Sequence, residues 1–138
     1  MSAFNDWNQQ MIAQYRANGG KNVPSFGDNL LLLNTVGAKS GQPRVNPLAF
    51  TTHGDKYVII ASKGGAPSNP DWYYNLLASG TATIDVGGEQ VPVRATEVKG
   101  TERDRLYAKH AERFPGFIEY QQKTTRKIPV LTLERNAS

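Results

Sequence analysis

A basic turn between two glycines is the stretch of this sequence best suited to hold a ligand. It lies within residues 36–48, follows a run of four leucines and carries Lys39 and Arg44. Free backbone N–H groups between Gly37 and Gly41, with cations beside them, suit a phosphate or a polycarboxylate. The same residue types also favour an ordinary solvated hairpin, so the turn alone leaves both interpretations open.

A second candidate stretch follows the next apolar run, where Ser62 and Lys63 precede two glycines. If the strands that carry Arg44 and Lys63 are neighbours, both cations face one mouth of the fold. The glycines allow a flat ligand to approach the backbone closely. Trp72 and Asn75 share one face of the following helix, where Trp72 packs on a ligand or in the core and Asn75 donates or accepts a hydrogen bond.

Other kinds of site have little support in the sequence. The 138 residues include no cysteine, which excludes disulfides, thiol nucleophiles and thiolate metal sites. His53 and His110 stand alone, so we predict no metal site and interpret His53 as a turn residue and His110 as a helix-surface residue. No nucleophile–base pair suggests hydrolysis.

Length and composition predict one globular domain, residues 1–138, in the cytoplasm. The net charge of +4 is modest and its basic residues are spread along the chain, which favours anionic small molecules over nucleic acid. The longest strongly apolar run is about five residues, far below the ~20 of a spanning helix. The first twenty residues lack the apolar core of a signal peptide.

An N-terminal helix within residues 1–19 is predicted from an apolar stripe at spacings of three and four: Phe4, Trp7, Met11 and Tyr15. The stripe is typical of a helix that packs on its domain. Two functional interpretations also stay open, a flap over a ligand and a peripheral contact with the inner face of the cell membrane.

The remaining pattern predicts a mainly β protein with peripheral helices, in which about six antiparallel strands close into a small barrel. Asn69 is the expected cap of the helix that starts at Pro70, and Thr101 and Asp104 have capping spacing in the next helix. Strands are expected at 30–35, 45–52, 56–62, 81–86, 89–96 and 128–133, and helices at 3–18, 70–79, 100–113 and 114–124.

Three motifs in order give the chain a specific resemblance: GAKSGQPRVNPL at 37–48, ASKGG at 61–65 and DWYYNL at 71–76. Together they resemble the deazaflavin-dependent nitroreductase and quinone reductase family, over residues 28–134. The resemblance implies a split β-barrel, like the FMN-binding split barrels, and the deazaflavin coenzyme F420. It also implies hydride transfer from the reduced cofactor to a conjugated quinone, activated enone or nitroaromatic.

The resemblance also implies site residues. The turn would hold the cofactor's phosphate and oligoglutamate tail, the next strand and the loop after Ala61 would flank its ring, and the helix would close the pocket. The implied cofactor-binding residues are Ala38, Lys39, Ser40, Arg44, Val45, Asn46, Pro47, Leu48, Ala61, Ser62, Lys63, Gly64, Trp72 and Asn75.

The acceptor is expected against a third wall. Phe114, Phe117 and Tyr120 are spaced i, i+3, i+6, and the resemblance places this face in the substrate pocket together with Ala49. Phenylalanines at two of these positions and alanine at 49 predict a less polar and wider pocket than in the nitroimidazole-activating member. Ser62 and Tyr120 are the predicted catalytic hydroxyls, which orient or protonate the acceptor.

Two other functions stay open at this point. Related split barrels bind FMN, so an FMN-dependent reductase is the first. A protein that carries deazaflavin or quinone without turnover is the second. Either a monomer or a homodimer satisfies the sequence.

Overall fold

The computed structural model describes residues 3–24 and 26–136, with side chains from residue 6 onward. Four helices and seven strands are found in these residues. In chain order they are α1 (Ala3–Ala17), β1 (Leu30–Val36), β2 (Pro43–Ala49), β3 (Thr51–His53), β4 (Lys56–Ile60), α2 (Asp71–Ser79), β5 (Thr81–Val86), β6 (Glu89–Val98), α3 (Gly100–Arg113), α4 (Gly116–Gln122) and β7 (Val130–Arg135).

All the strands belong to one antiparallel sheet in the order β2-β1-β5-β6-β7-β4-β3. The sheet curls into a half-barrel and the helices lie around it, which confirms the predicted mainly β class. The β5–β6 hairpin has the predicted centre, because Val86 pairs with Glu89 around Gly87 and Gly88. Both glycines have positive φ, as a tight hairpin turn requires.

The four leucines that begin β1 are buried because both faces of this strand are covered. Leu31 and Leu33 face the barrel core, while Leu30 and Leu32 face α1. A strand that is covered on both sides carries a continuous apolar run rather than an alternating one. The strand therefore separates two cores and fixes α1 against the barrel.

The apolar stripe of α1 packs on the domain at Met11 and Tyr15, both of which are buried beside Leu30 and Leu32. The Tyr15 hydroxyl accepts a hydrogen bond of 3.2 Å from the Gly88 N–H, and burial raises the pKa of Tyr15. The Phe4 side chain lies outside the described residues. No helix in the described ranges combines the length and apolar character needed to cross a membrane.

The predicted strand over 45–52 is two strands, which is why the sheet has seven strands rather than six. Phe50 interrupts the strand and is buried in the barrel core. The segment before it pairs with β1 and the segment after it pairs with β4. The condition considered above, that the strands leading to Arg44 and Lys63 are neighbours, is therefore not met, because β2 and β4 are not adjacent in the sheet.

Two predicted helix caps are wrong, because α2 begins at Asp71, one residue later than predicted, and α3 begins at Gly100, before Thr101. Pro70, not Asn69, is the cap residue of α2, and the Asn69 Oδ1 atom accepts a hydrogen bond of 2.6 Å from Arg126. In α3 the cap residue is Lys99, with no side-chain cap. Asp104 instead lies 3.1 Å from Arg103, which lowers its pKa.

His110 is not a surface residue. It is fully buried, its Nδ1 atom lies 3.2 Å from the Thr51 hydroxyl, and the rings of Phe114 and Phe117 pack against it. The surface prediction treated α3 as a helix with one buried face. α4 and the short strand β3 bury a further part of it. Burial lowers the pKa of His110 to about 4.

This burial predicts an acid sensitivity of the fold. The pKa of His110 is about 4 in the folded protein and 6.5 in its ordinary state. Between these values the unfolded chain therefore binds more protons than the folded chain. The contribution of His110 to the free energy of unfolding is complete above about pH 6.5 and is lost as the pH falls toward 4. We expect His110 to account for a loss of about 2 kcal/mol in the free energy of unfolding between pH 7.5 and pH 5.

Urea unfolding at the two pH values measures this loss. His110→Gln, which does not titrate, should lose this share of the pH dependence. The same substitution at the exposed His53 should retain it. Equal pH dependence in the wild type and His110→Gln would contradict the assignment.

Candidate active site

Two clefts open side by side where α1, β2, α2 and the loop after β4 meet. One has a volume of about 330 Å³ and the other about 680 Å³. They share five lining residues, so they form one continuous site. The shared residues are Asn8, Asn46, Lys63, Pro70 and Trp72.

The smaller cleft is mainly apolar. Pro47 and Leu48 of β2 and Trp72 of α2 line it. Phe117 and Tyr120 of α4 complete it, with their ring centroids 5.1 Å apart in an edge-to-face arrangement. Flat aromatic and proline surfaces of this kind suit a planar conjugated ligand.

The larger cleft is cationic. Arg16 of α1, Arg44 of β2 and Lys63 line it, together with a single carboxylate, Asp71. Guanidinium and ammonium groups at this density favour a ligand with several carboxylates or phosphates. The adjoining apolar and cationic clefts therefore fit a molecule with a flat ring and an anionic tail, such as a flavin-type cofactor.

The basic turn supplies this charge differently from the prediction. The expectation of free backbone N–H groups is wrong at three of the five residues 37–41, namely Gly37, Ala38 and Gly41, and it stays a prediction at Lys39 and Ser40. Gly37 donates to the Gln42 carbonyl, Gly41 to the Gly37 carbonyl, and Gln42 to the Ser40 hydroxyl. Ala38 donates to the Asn75 side-chain oxygen at 2.9 Å. Three of these N–H groups are therefore used within the protein, and the cation beside the turn that lines the cleft is Arg44.

Asn75 and Trp72 each contribute both to the stability of the fold and to the wall of the site. Both are buried, and both line the cationic cleft. Asn75 fixes the basic turn through its bond to Ala38, which links α2 to the end of β1. Trp72 lies in the barrel core and also lines both clefts, so the two interpretations of this residue are compatible.

The loop after β4 forms the edge between the two clefts. Lys63 and Gly64 have φ values of 49° and 64°, and Gly65 has a φ of 84°. A Cβ atom on Gly65 would lie 2.8 Å from the Tyr120 carbonyl oxygen, so only glycine allows α4 to approach this closely. The loop therefore sets the position of the helix that carries Phe117 and Tyr120.

The structure brings together most of the predicted site residues. The predicted residues that line one or both clefts are Arg44, Val45, Asn46, Pro47, Leu48, Ala49, Ser62, Lys63, Gly64, Trp72, Asn75, Phe117 and Tyr120.

Five predicted residues do not line these clefts. Ala61 is fully buried in the barrel core. Phe114 precedes α4 and packs on Phe26, His110 and Phe117. The others, Ala38, Lys39 and Ser40, lie in the self-bonded turn, and their contact with a cofactor stays a prediction.

Sequence reasoning missed several lining residues. Trp7, Asn8 and Arg16 of α1 and Phe26 of the connector line the clefts. The flap interpretation of the N-terminal helix was the one signal that indicated them. Arg16 is the only basic residue of α1, and it adds a third cation to the cationic cleft.

Solved structures with this architecture define the class of fold. An F420-H2-dependent reductase, FDR-A, superposes with a TM-score of 0.70 and 40% identity, covering 77% of this chain and 94% of that chain. A second, described as a domain-swapped dimer, gives a TM-score of 0.72 and 36% identity, covering 94% and 98%. The protein is therefore a split β-barrel of the flavin-reductase type.

Sequence comparison identifies the family within that class. The model of the F420H(2)-dependent quinone reductases matches residues 7–135. An F420H(2)-dependent quinone reductase of Mycobacterium tuberculosis is 39% identical over 132 residues, which cover 89% of this chain and 86% of that protein. The chain belongs to the F420H(2)-dependent quinone reductase family.

This membership confirms the resemblance seen in the three sequence motifs. The protein is an oxidoreductase, and reduced coenzyme F420 is its hydride donor. The FMN-dependent reductase and the non-catalytic carrier are not supported by these relatives.

Proposed function

We propose that the two clefts bind reduced F420 with its tail in the cationic cleft, and that a lipophilic quinone is reduced in the apolar cleft. One observation carries the proposal. An aromatic-walled cleft opens directly into a cleft with three cations, which matches a planar ring joined to a polyanionic tail.

The cationic cleft supplies binding energy away from the reacting atoms. Arg44 and Arg16 lie on separate elements, so they hold an anionic chain from two sides. Lys63 lines both clefts and marks the junction of tail and ring. Charge-assisted hydrogen bonds at these positions fix the register of the ring in the apolar cleft.

The apolar cleft holds the ring and the acceptor face to face and limits the access of water. We assign Pro47, Leu48 and Trp72 of this cleft to the cofactor ring and Phe117 and Tyr120 of the same cleft to the acceptor. When bound, reduced F420 supplies a hydride, and the quinone takes up that hydride and one proton to give the quinol. The protein's task is to align the two rings.

The proton reaches a quinone oxygen from a hydroxyl or from solvent. Ser62 lines the apolar cleft, and within the described part of the chain its hydroxyl forms no hydrogen bond. Tyr120 also lines this cleft. Either side chain is placed to donate a hydrogen bond to a carbonyl oxygen of the acceptor, and no buried acid–base pair is required.

The acceptor wall gives a direct prediction. Phe117→Ala removes an aromatic surface that faces the apolar cleft, and we expect the KM for a naphthoquinone to rise by about tenfold, in line with the ~1.5–3 kcal/mol of a buried aromatic side chain. The affinity for F420 should change little. Ile118→Ala is the matched control, because Ile118 is the next residue of α4 and is 52% exposed. Equal effects of the two variants on KM would contradict the assigned wall.

We also propose that α1 serves as a wall of the site rather than as a membrane anchor. Its apolar residues Met11, Ile12 and Tyr15 are buried against β1, so they are not available to insert into lipid. Trp7 is 43% exposed at the rim of the apolar cleft. Loss of liposome binding on deletion of 1–19 would contradict this role. The oligomeric state, monomer or homodimer, stays a prediction, and light scattering in solution measures it.

A titration tests the proposed cofactor site. Purified protein is titrated with F420 and, in parallel, with FMN, and the fluorescence of each ligand is followed. Tight binding of F420 with weak binding of FMN is expected, because the cations of the larger cleft bind the longer anionic tail of F420 more strongly. Binding of FMN alone, or of neither ligand, would contradict the proposal.

A further inference from the structure

We infer that Arg126 is a positioning residue for the F420 site, because its guanidinium holds the loop 61–69 in the shape that the two clefts require. Arg126 lies between α4 and β7 and does not line either cleft. The inference rests on the proposed function of the clefts. It adds a residue that acts on the site without lining it.

The guanidinium reaches four oxygen atoms of this one loop. It donates to the Ser62 carbonyl at 2.7 Å and to the Ala66 carbonyl at 2.9 Å. It also donates to the Asn69 side-chain oxygen at 2.6 Å and to the Ala61 carbonyl at 3.3 Å. A planar group with five donors in a fixed fork is required to satisfy acceptors in these several directions.

The loop has little regular structure of its own. Within it, Gly65 donates to the Ser62 carbonyl and Ala66 donates to the Lys63 carbonyl, which closes a single short turn. Lys63 is one of two non-glycine residues with positive φ among the described residues, at 49°. A backbone in this region is less favourable for a side-chain-bearing residue and persists where its surroundings fix it. Arg126 provides such a constraint from both ends of the turn.

The charge of Arg126 is satisfied by dipoles and not by an acid. Within the described ranges Arg126 forms no ion pair, and all four of its acceptors are carbonyl or amide oxygens. Desolvation lowers the pKa of Arg126, although an arginine stays protonated. No opposite charge offsets the cost of burying this guanidinium. We therefore assign its four hydrogen bonds the role of fixing the shape of the loop.

The same residue connects the loop to the acceptor wall. The Gln121 side chain of α4 donates to the Arg126 carbonyl at 2.8 Å. The Gln121 side-chain oxygen accepts from Arg103 at 2.7 Å and from the Ile128 N–H at 3.1 Å. Arg126 therefore joins the cofactor edge, formed by Ser62 and Lys63, to the helix that carries Phe117 and Tyr120.

Two substitutions test the inference. Arg126→Lys keeps the charge but loses the fork, and Arg126→Ala removes both. For each we expect the Kd for F420 to rise about tenfold or more, and kcat/KM for the quinone to fall by up to about 10²-fold, as for other remote misplacements of a site. Arg105→Ala, at an exposed position of α3, is the matched control and should be unchanged.

Guanidinium at a non-denaturing concentration separates positioning from general stability. It should restore F420 binding to Arg126→Ala, and it should not restore Arg126→Lys. If Arg126→Ala does not fold, Arg126→Lys gives the result alone. F420 binding by the wild type, with unchanged affinity in a folded Arg126→Lys, would overturn the inference and leave the proposed function intact. Failure of the wild type to bind F420 would overturn the proposed function first.

Discussion

Arg44→Glu is expected to weaken the binding of F420 by about 10²-fold while leaving a tail-less deazaflavin almost unaffected. The substitution removes a charge-assisted contact of about 1.5–3 kcal/mol and places a negative charge beside an anionic tail. Arg44 lines only the cationic cleft, so the contacts of the ring are retained. Because Arg44 is exposed, the effect should decrease as salt concentration rises. Fluorescence titration of both ligands at two ionic strengths measures it.

Two controls separate the tail site from the overall charge. Arg94→Glu makes the same charge change at an exposed position of β6 that does not line the clefts, and F420 affinity should stay close to that of the wild type. Lys39→Ala tests the turn residue that the sequence analysis favoured, and we expect a smaller loss than for Arg44. A uniform loss for Arg44→Glu and Arg94→Glu would contradict a defined tail site.

Gly65→Ala is expected to destabilise the fold by about 2–5 kcal/mol and to lower turnover at least about tenfold. A left-handed φ costs an L-residue roughly 1–2 kcal/mol, and overpacking against backbone adds about 1–3 kcal/mol. The new Cβ atom would lie 2.8 Å from the Tyr120 carbonyl oxygen. Because that atom is backbone, α4 has to move, and Phe117 and Tyr120 move with it. Urea unfolding and quinone kinetics measure the two effects.

Gly54→Ala is the matched control for this prediction. Gly54 has a φ of +62° in the β3–β4 turn, and a Cβ atom there meets nothing within 4 Å. It therefore carries the backbone cost of about 1–2 kcal/mol without the steric one. Equal losses of stability and turnover in the two variants would show that the close approach of α4 is unimportant.

The architecture was predictable where local pattern and burial agree. The β5–β6 hairpin alternates apolar and polar residues around two glycines, and the four leucines of β1 predict a strand buried on both faces. The order of the strands was not predictable in the same way. Phe50 redirects the chain from β1 to β4, which depends on a core that local sequence does not describe.

The residues of the site that belong to sequence motifs were predictable, whereas the residues that hold them in place were not. Trp72, Arg44 and Lys63 lie in motifs with recognisable chemistry, and all three line the clefts. Arg126 and Gln121 carry no such signal, because their roles arise from tertiary contacts and the acceptors of Arg126 lie far along the chain. The interpretation of His110 was wrong for the same reason, since packing by α4 decides it.

Single-turnover oxidation of bound F420H2 is the most direct test of the central claim. Protein loaded with reduced F420 is mixed anaerobically with one equivalent of a naphthoquinone, and the return of the oxidised deazaflavin absorbance is followed. The proposed site predicts rapid, protein-dependent oxidation with one quinol formed per F420H2, slowed in Phe117→Ala and retained in Ile118→Ala. Tight F420H2 binding without accelerated oxidation by the quinone would contradict the proposed acceptor.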